Sequence, residues 1–392
     1  MQNYGRAMLS VITLATFTGL ASCGSSDSPA PERAVKSLRL IGQQILPRRM
    51  AFQGTVVGGL SGVDYDAATS RFIFMSDDRT TSDSSNPPRF YTANLTFNES
   101  TFSALQFVAT TTLKQADGSV FPKVPDVKVA DPESIRLDPV SGNLLWTSEG
   151  DRFISATAPR IVDPFIREMR SDGSFVRDYV LPSMFRMSAS ETGPRGNLAF
   201  EGLAVTPDKS KTVVIAEGPL YADGPVPTVG AGAVSRMTVF DRAAGTALAQ
   251  YAYPVEKVQA VPVPATAFSV SGATEILAVT NTRFLVLERS FSVGVEGNQV
   301  RLYEIDTGNA SNVLGTAALV AGSYTPVTKR LVLDFETLKA QLGGIANLEG
   351  MTFGPRLANG RESLIVVADD NFPVADSTTD RNQILVFEVL PN

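Results

Sequence analysis

The sequence predicts an all-β protein: a β-propeller of five four-stranded blades, with room for a sixth, closed by a strand from the N-terminal end. Three observations predict it. A hairpin motif recurs five times at a regular period, further strand pairs fill the intervals, and the last repeat lacks a strand that an N-terminal run can supply.

Each copy of the motif begins with Ser or Glu at the head of a short apolar run, passes a turn, and ends a second apolar run in an acidic residue. The copies run from Ser61 to Asp77-Asp78-Arg79, Glu133 to Glu149-Gly150-Asp151-Arg152, Glu201 to Glu217, Glu275 to Glu288-Arg289, and Glu349 to Asp369-Asp370. Their first positions lie 72, 68, 74 and 74 residues apart, an average of 72. A period this long, filled with strand-like runs, indicates a radial repeat. Equivalent points of every blade face one central channel, so the repeated acids are expected to converge there.

Between the motifs, Phe165–Met169 with Phe175–Leu181, Arg236–Phe240 with Ala247–Tyr253, and Val300–Ile305 with Val313–Leu319 read as outer strand pairs. The last repeat leaves only Gln383–Val389 after Asp370. The run Ser37–Leu46 is free to complete that blade and remove the exposed edges. Residues 33–392 make five periods of 72, generous for four strands each, so a sixth irregular blade fits in the connections. Segments 111–130, 183–199, 219–235 and 321–347 read as long loops, apart from a short helix at Asp334–Leu342, and long loops on a rigid scaffold often shape a binding face.

Residues 1–23 read as a bacterial lipoprotein signal: Arg6, an apolar stretch from Met8 to Leu20, then the lipobox Leu20-Ala21-Ser22-Cys23, whose thiol would carry the lipid. An ordinary cleaved signal is the alternative. Residues 24–36, rich in Ser and Pro, read as a flexible tether and 37–392 as the propeller. The expected location is the bacterial cell envelope, as a lipoprotein of the outer membrane facing the periplasm or the cell surface, with membrane contact through the N-terminal lipid alone.

Composition excludes whole classes of chemistry. The chain has no histidine and one cysteine, Cys23, which removes Ser-His-Asp hydrolysis, disulfides and His-bound zinc. Any metal must therefore be held by oxygen, which selects calcium, magnesium or manganese. From Cys23 onward the chain carries 33 Lys and Arg against 40 Asp and Glu, a net of −7. Such an acidic body argues against nucleic acid, and suits a cation.

Glu133, Glu201 and Glu349 share a pattern in which Gly or Ser follows the acid, letting backbone or ligand approach closely. They are the candidate catalytic acids and inner metal ligands. Asp77, Asp78, Glu149, Glu217, Asp369 and Asp370 end the second strands, one hairpin away, and are candidate ligands or general bases. Arg79 and Arg152, with Arg289, could neutralise the acids or bind an anionic substrate. The alternative is that the acids cap turns and tie blades together.

On these stretches the sequence resembles the phytase-like family described as having esterase-like activity of phytase. The matching segments are Gly59–Arg79, Asp131–Arg152, Asn197–Glu217, Phe284–Arg289 and Asn347–Asn371. The resemblance implies a propeller similar to calcium-dependent phytases and hydrolysis of phosphate esters. The chain departs from the pattern at Ser61, which replaces a Glu, and at the shortened Glu275 hairpin. The expectation is a lipid-anchored phosphoester hydrolase acting on a small anionic or ester substrate, with a divalent cation, calcium foremost, among channel carboxylates. Two rivals stand: a non-catalytic calcium-stabilised propeller that binds a ligand or partner, and a calcium-dependent lactonase-like hydrolase.

Overall fold

A computed structural model describes residues 1–2, 33–79, 86–377 and 379–391. The lipobox and most of the tether fall outside the described residues. From Arg33 onward the chain forms five four-stranded antiparallel blades.

The innermost strands are Gly62–Asp66, Pro132–Leu137, Phe200–Val205, Ser269–Ala278 and Asn347–Phe353. Each lies beside the next, and the last returns to the first, which closes the ring. The second strands, Arg71–Ser76, Leu144–Ser148, Lys211–Ala216, Arg283–Ser292 and Ser363–Asp369, are apolar along almost their whole length because both faces of every blade are covered by neighbouring blades. In the fifth blade the outermost strand is Ser37–Ile45, paired antiparallel with Gln383–Leu390. First and last segments of the propeller are thereby tied together, as the missing strand required.

No sixth blade exists among the described residues; two small hairpins, at 51–56 and 151–162, and the long loops take up the extra length. One outer strand is corrected. The fourth blade ends in Thr328–Asp334, inside the segment expected to be loop, and not in Val313–Leu319. The latter run is broken by Gly315 at φ +84°, and its buried Val313 and Leu319 cover Ala252 of the third blade instead. It buries apolar side chains without forming a ladder, which apolar pattern alone does not distinguish from a strand.

The small residue after the repeated acid is explained by the ring. A Cβ on Gly62 would lie 2.7 Å from the Glu133 carbonyl, and one on Gly350 would lie 2.6 Å from that of Ser61. At Gly62, Gly202 and Gly350 the neighbouring innermost strand approaches too closely for a Cβ, so backbone rather than ligand sets the requirement in those three blades.

In the fourth blade this position holds Glu275, and its side chain crosses the axis. Arg136 meets it at 2.7 Å. Arg136 also donates to the carbonyls of Val63, Ile135, Ile276 and Met351 at 2.6, 2.9, 3.2 and 3.1 Å, while Glu275 accepts from Leu203 N at 3.1 Å. One ion pair thus binds the equivalent residue of all five innermost strands. It separates an acidic mouth from a second cavity of about 570 Å³ at the opposite end.

Candidate functional site

Four of the five innermost strands carry a β-bulge at the start of the repeat, between Pro132 and Ile135, Phe200 and Leu203, Ala273 and Glu275, and Leu348 and Gly350. A bulge leaves a residue unpaired and re-aims its side chain. Glu133, Glu201 and Glu349 are turned by it into the acidic mouth, where they line a cavity of about 410 Å³. Asp77, Glu217 and Asp369, from the ends of second strands, line the same cavity, as do Arg79 and Arg289. Glu149 is not a lining residue, but a carboxylate oxygen of it lies within 4.8 Å of those of Glu133, Glu201 and Glu217.

The register revises the fourth repeat by one residue. Glu275 pairs with Leu287 and Gly272 with Arg289, which makes Thr274 the counterpart of Glu133, Glu201 and Glu349, and Arg289 the counterpart of Glu149, Glu217 and Asp369. Four blades therefore bring a carboxylate to the second-strand position and the fourth brings a guanidinium. Arg289 Nη2 lies 3.0 Å from Glu349 and 3.5 Å from Glu217. Glu288 faces away, accepting from Tyr253 Oη at 2.6 Å and pairing with Lys329 at 2.5 Å.

Among the described residues, two carboxylate triads have ligand atoms within 4.8 Å of one another: Asp131, Glu133 and Glu149, and Glu149, Glu201 and Glu217. Glu149 belongs to both. Asp131 escaped the sequence reading, yet it stands two residues before Glu133 as Asn347 stands two before Glu349, and that shared offset was visible in the sequence. Its Oδ1 meets Arg79 at 2.9 Å, and Arg79 reaches on to Asn197 at 2.9 Å. Asn347 donates to Glu349 at 2.8 Å and to Asp369 at 3.3 Å.

Three expected residues stand apart from this group. The Asp78 carboxylate is held by the buried Arg89 at 2.7 Å. Asp370 accepts from Gly59 N at 2.9 Å and Asn382 Nδ2 at 2.7 Å, which fixes the loops around the mouth. Arg152 donates to the carbonyls of Ser188 and Ala189 at 2.8 and 3.2 Å and stacks over Tyr221, so it clamps a loop. Asp77 and Asp78 differ for a simple reason: adjacent residues at a strand end point to opposite sides.

Burial dominates the electrostatics. It pushes the carboxyls of Asp131 and Glu217 up to about 7, with Arg79 and Arg289 opposing, and raises Asp77, Glu133, Glu149, Glu201 and Asp369 well above the ordinary carboxylate range, neighbouring acids adding to the effect. Asp131 holds the Arg79 guanidinium more firmly protonated than usual. Two buried oxygens, Asp131 Oδ2 and Glu217 Oε1, accept no hydrogen bond, one in each triad. Buried carboxylate oxygens without a hydrogen bond, in an all-oxygen donor set, fit a hard divalent cation.

A family model described as Phytase-like, esterase-like activity of phytase, matches residues 55–372. No curated protein matches the chain in sequence. Similar solved structures include an exo-β-1,3-galactanase from Phanerochaete chrysosporium, at 10% identity and TM-score 0.46, over 88% of this chain and 64% of that one. The chain thus spans less than two thirds of the galactanase. An α-L-arabinofuranosidase from Lactobacillus brevis matches at 11% identity and TM-score 0.42, over 84% of this chain and 90% of that one. A protein of unknown function from Dyadobacter fermentans matches at 10% identity and TM-score 0.40, over 91% and 100% respectively.

Proposed function

The chain belongs to the phytase-like family of esterase-like activity, and on that premise we propose that its acidic mouth hydrolyses a phosphate ester with the help of divalent cations, calcium foremost. The observation that carries the proposal is the pair of triads sharing Glu149, each with a buried carboxylate oxygen that accepts no hydrogen bond. Asp131, Glu133, Glu149, Glu201 and Glu217 would hold the cations. When bound, a cation held by these residues would supply polarisation of a phosphoryl oxygen and a more acidic water.

The chain's own residues supply the rest. Arg79 faces the cavity with its charge secured by Asp131 and can meet an anionic oxygen without losing its proton. Asp77 lines the same cavity with a carboxyl whose proton affinity burial raises, which suits it to give a proton to the leaving oxygen. Arg289 offsets the charge of Glu217 and Glu349. Cys23 would tether this mouth to the envelope by its lipid, a point tested by following Cys23→Ser into the soluble fraction.

One observation favours the non-catalytic reading. Glu149 accepts from Ala199 N at 2.5 Å, across a blade boundary, so a cation at Glu149 would also fasten blades together. Hydrolysis of phosphate esters, carboxylic esters and lactones, measured against added calcium, separates the readings. Calcium-dependent turnover of phosphate esters supports the proposal. Turnover of lactones alone moves it to the lactonase-like class, and calcium stabilisation with no turnover leaves the binding propeller.

A further inference from the structure

One wall of the acidic mouth is not acidic. Phe268, Val270 and Phe291, all three from the fourth blade, line the same cavity as Glu133, Glu201 and Arg289. Val270 and Phe291 are cross-strand partners, and the Phe268 and Phe291 rings lie 6.4 Å apart, tilted by 42°. Phe268 is 64% exposed, although folding normally gains by burying such a ring. The apolar surface continues outward over Val263, also 64% exposed, whose N–H donates to the Val293 carbonyl, while Val293 N–H donates to that of Phe268.

Charge narrows the ligand from the other side. Seven carboxylates and two guanidiniums line the cavity, and no lysine is among the described lining residues. Both guanidiniums are already engaged by acids. A polyol bearing many phosphates would set several dianions against this surface with too few cations to meet them. A single anionic group, placed between Arg79 and the cation-holding triads, meets no such mismatch.

We infer that the ester taken by this site is amphipathic: one phosphoryl group at the acidic floor, joined to an aryl or alkyl group that lies across Phe268 and Phe291. The inference rests on the hydrolase reading for the reaction but not for the binding. Ring stacking and burial against Phe268 set the preference for that group, and the polar floor sets its orientation. Phe268 is thus a specificity-determining residue.

The test uses the full chain with saturating calcium and two phosphonates that cannot be hydrolysed, benzylphosphonate and methylphosphonate, titrated by calorimetry. The native protein is expected to bind the benzyl compound about tenfold more tightly, and Phe268→Ser to remove most of that preference. Because Phe268 is exposed, an unchanged melting temperature checks that the variant folds. Hydrolysis adds a second readout: phenyl phosphate should be preferred over glycerol phosphate and inositol hexakisphosphate, with the variant raising KM for phenyl phosphate more than it lowers kcat. Equal binding of the two phosphonates, a preference unaltered by Phe268→Ser, or preferred hydrolysis of inositol hexakisphosphate would overturn the inference. A Phe268-dependent benzyl preference without hydrolysis of any ester would uphold the subsite and sink the hydrolase reading.

Discussion

Arg136 and Glu275 meet at 2.7 Å on the propeller axis, both almost wholly shielded from water. The pair joins all five innermost strands through the side chains of two residues, since its hydrogen bonds reach Val63, Ile135, Leu203, Ile276 and Met351. A buried charge left without its partner is costly, whereas replacing both partners by apolar groups is much less so. Arg136→Met should therefore destabilise the propeller by about 3–5 kcal/mol in denaturant unfolding, and Arg136→Met with Glu275→Leu by less than the sum of the single changes. Additive losses would show that the two residues act independently.

Calcium should raise the melting temperature, and a chelator should reverse the rise. A ligand bound only by the folded state contributes about 2.7 kcal/mol at a hundredfold excess over Kd. Glu149→Gln should remove more of this stabilisation than Glu201→Gln, because Glu149 serves both triads and Glu201 only one. Differential scanning calorimetry with and without calcium reads the difference. If neither variant alters the calcium response, the triads hold no cation.

Arg289 and a bound cation would draw on the same carboxylate, Glu217. Arg289→Gln is expected to tighten calcium binding several-fold in a direct titration, since the competing positive charge is gone. It should also weaken binding of an anionic ligand. Weaker calcium binding in the variant would mean that Arg289 organises the site instead of competing for it.

Stability should depend on pH with opposite signs in the two metal states. Glu217 and Glu275 are raised from 4.5 to about 7, chiefly by burial. Below pH 4.5 both folded and unfolded chains hold these protons; between 4.5 and 7 the unfolded chain has released them and the folded one has not. Metal-free protein should accordingly lose stability as pH rises through that window and level off above it. Saturating calcium should turn the trend upward, because cation binding requires the deprotonated acids. Parallel melting profiles with and without calcium would contradict the site.

Much of this was legible in the chain. The 72-residue period identified blades because each blade repeats one hairpin-plus-pair pattern, and the N-terminal strand was required by the short last repeat. The acids of the mouth were legible too, since Glu133, Glu201 and Glu349 occupy equivalent bulges. The fourth repeat was not. A bulge inserts one unpaired residue, so spacing alone cannot tell whether Thr274 or Glu275 faces the mouth, and a one-residue slip sends the side chain elsewhere. Arg152 and Arg79 look alike in sequence, each following an acid, yet loop carbonyls at 188–189 capture only the first.

By itself the sequence determined the class of chemistry available: no histidine, no cysteine in the folded body, and carboxylates at a fixed period, which leaves oxygen ligands and hard cations. It also determined the blades, because strand patterning is local and repetition multiplies its signal. Only the tertiary structure decided which acids share a cavity, that Glu275 plugs the axis beneath it, that Asp131 joins the triads, and that an aromatic wall faces them. Those relations depend on closure of the ring, which brings residues more than two hundred positions apart, such as Arg136 and Met351, within hydrogen-bonding distance. Periodicity along a chain carries no record of which neighbours that closure creates.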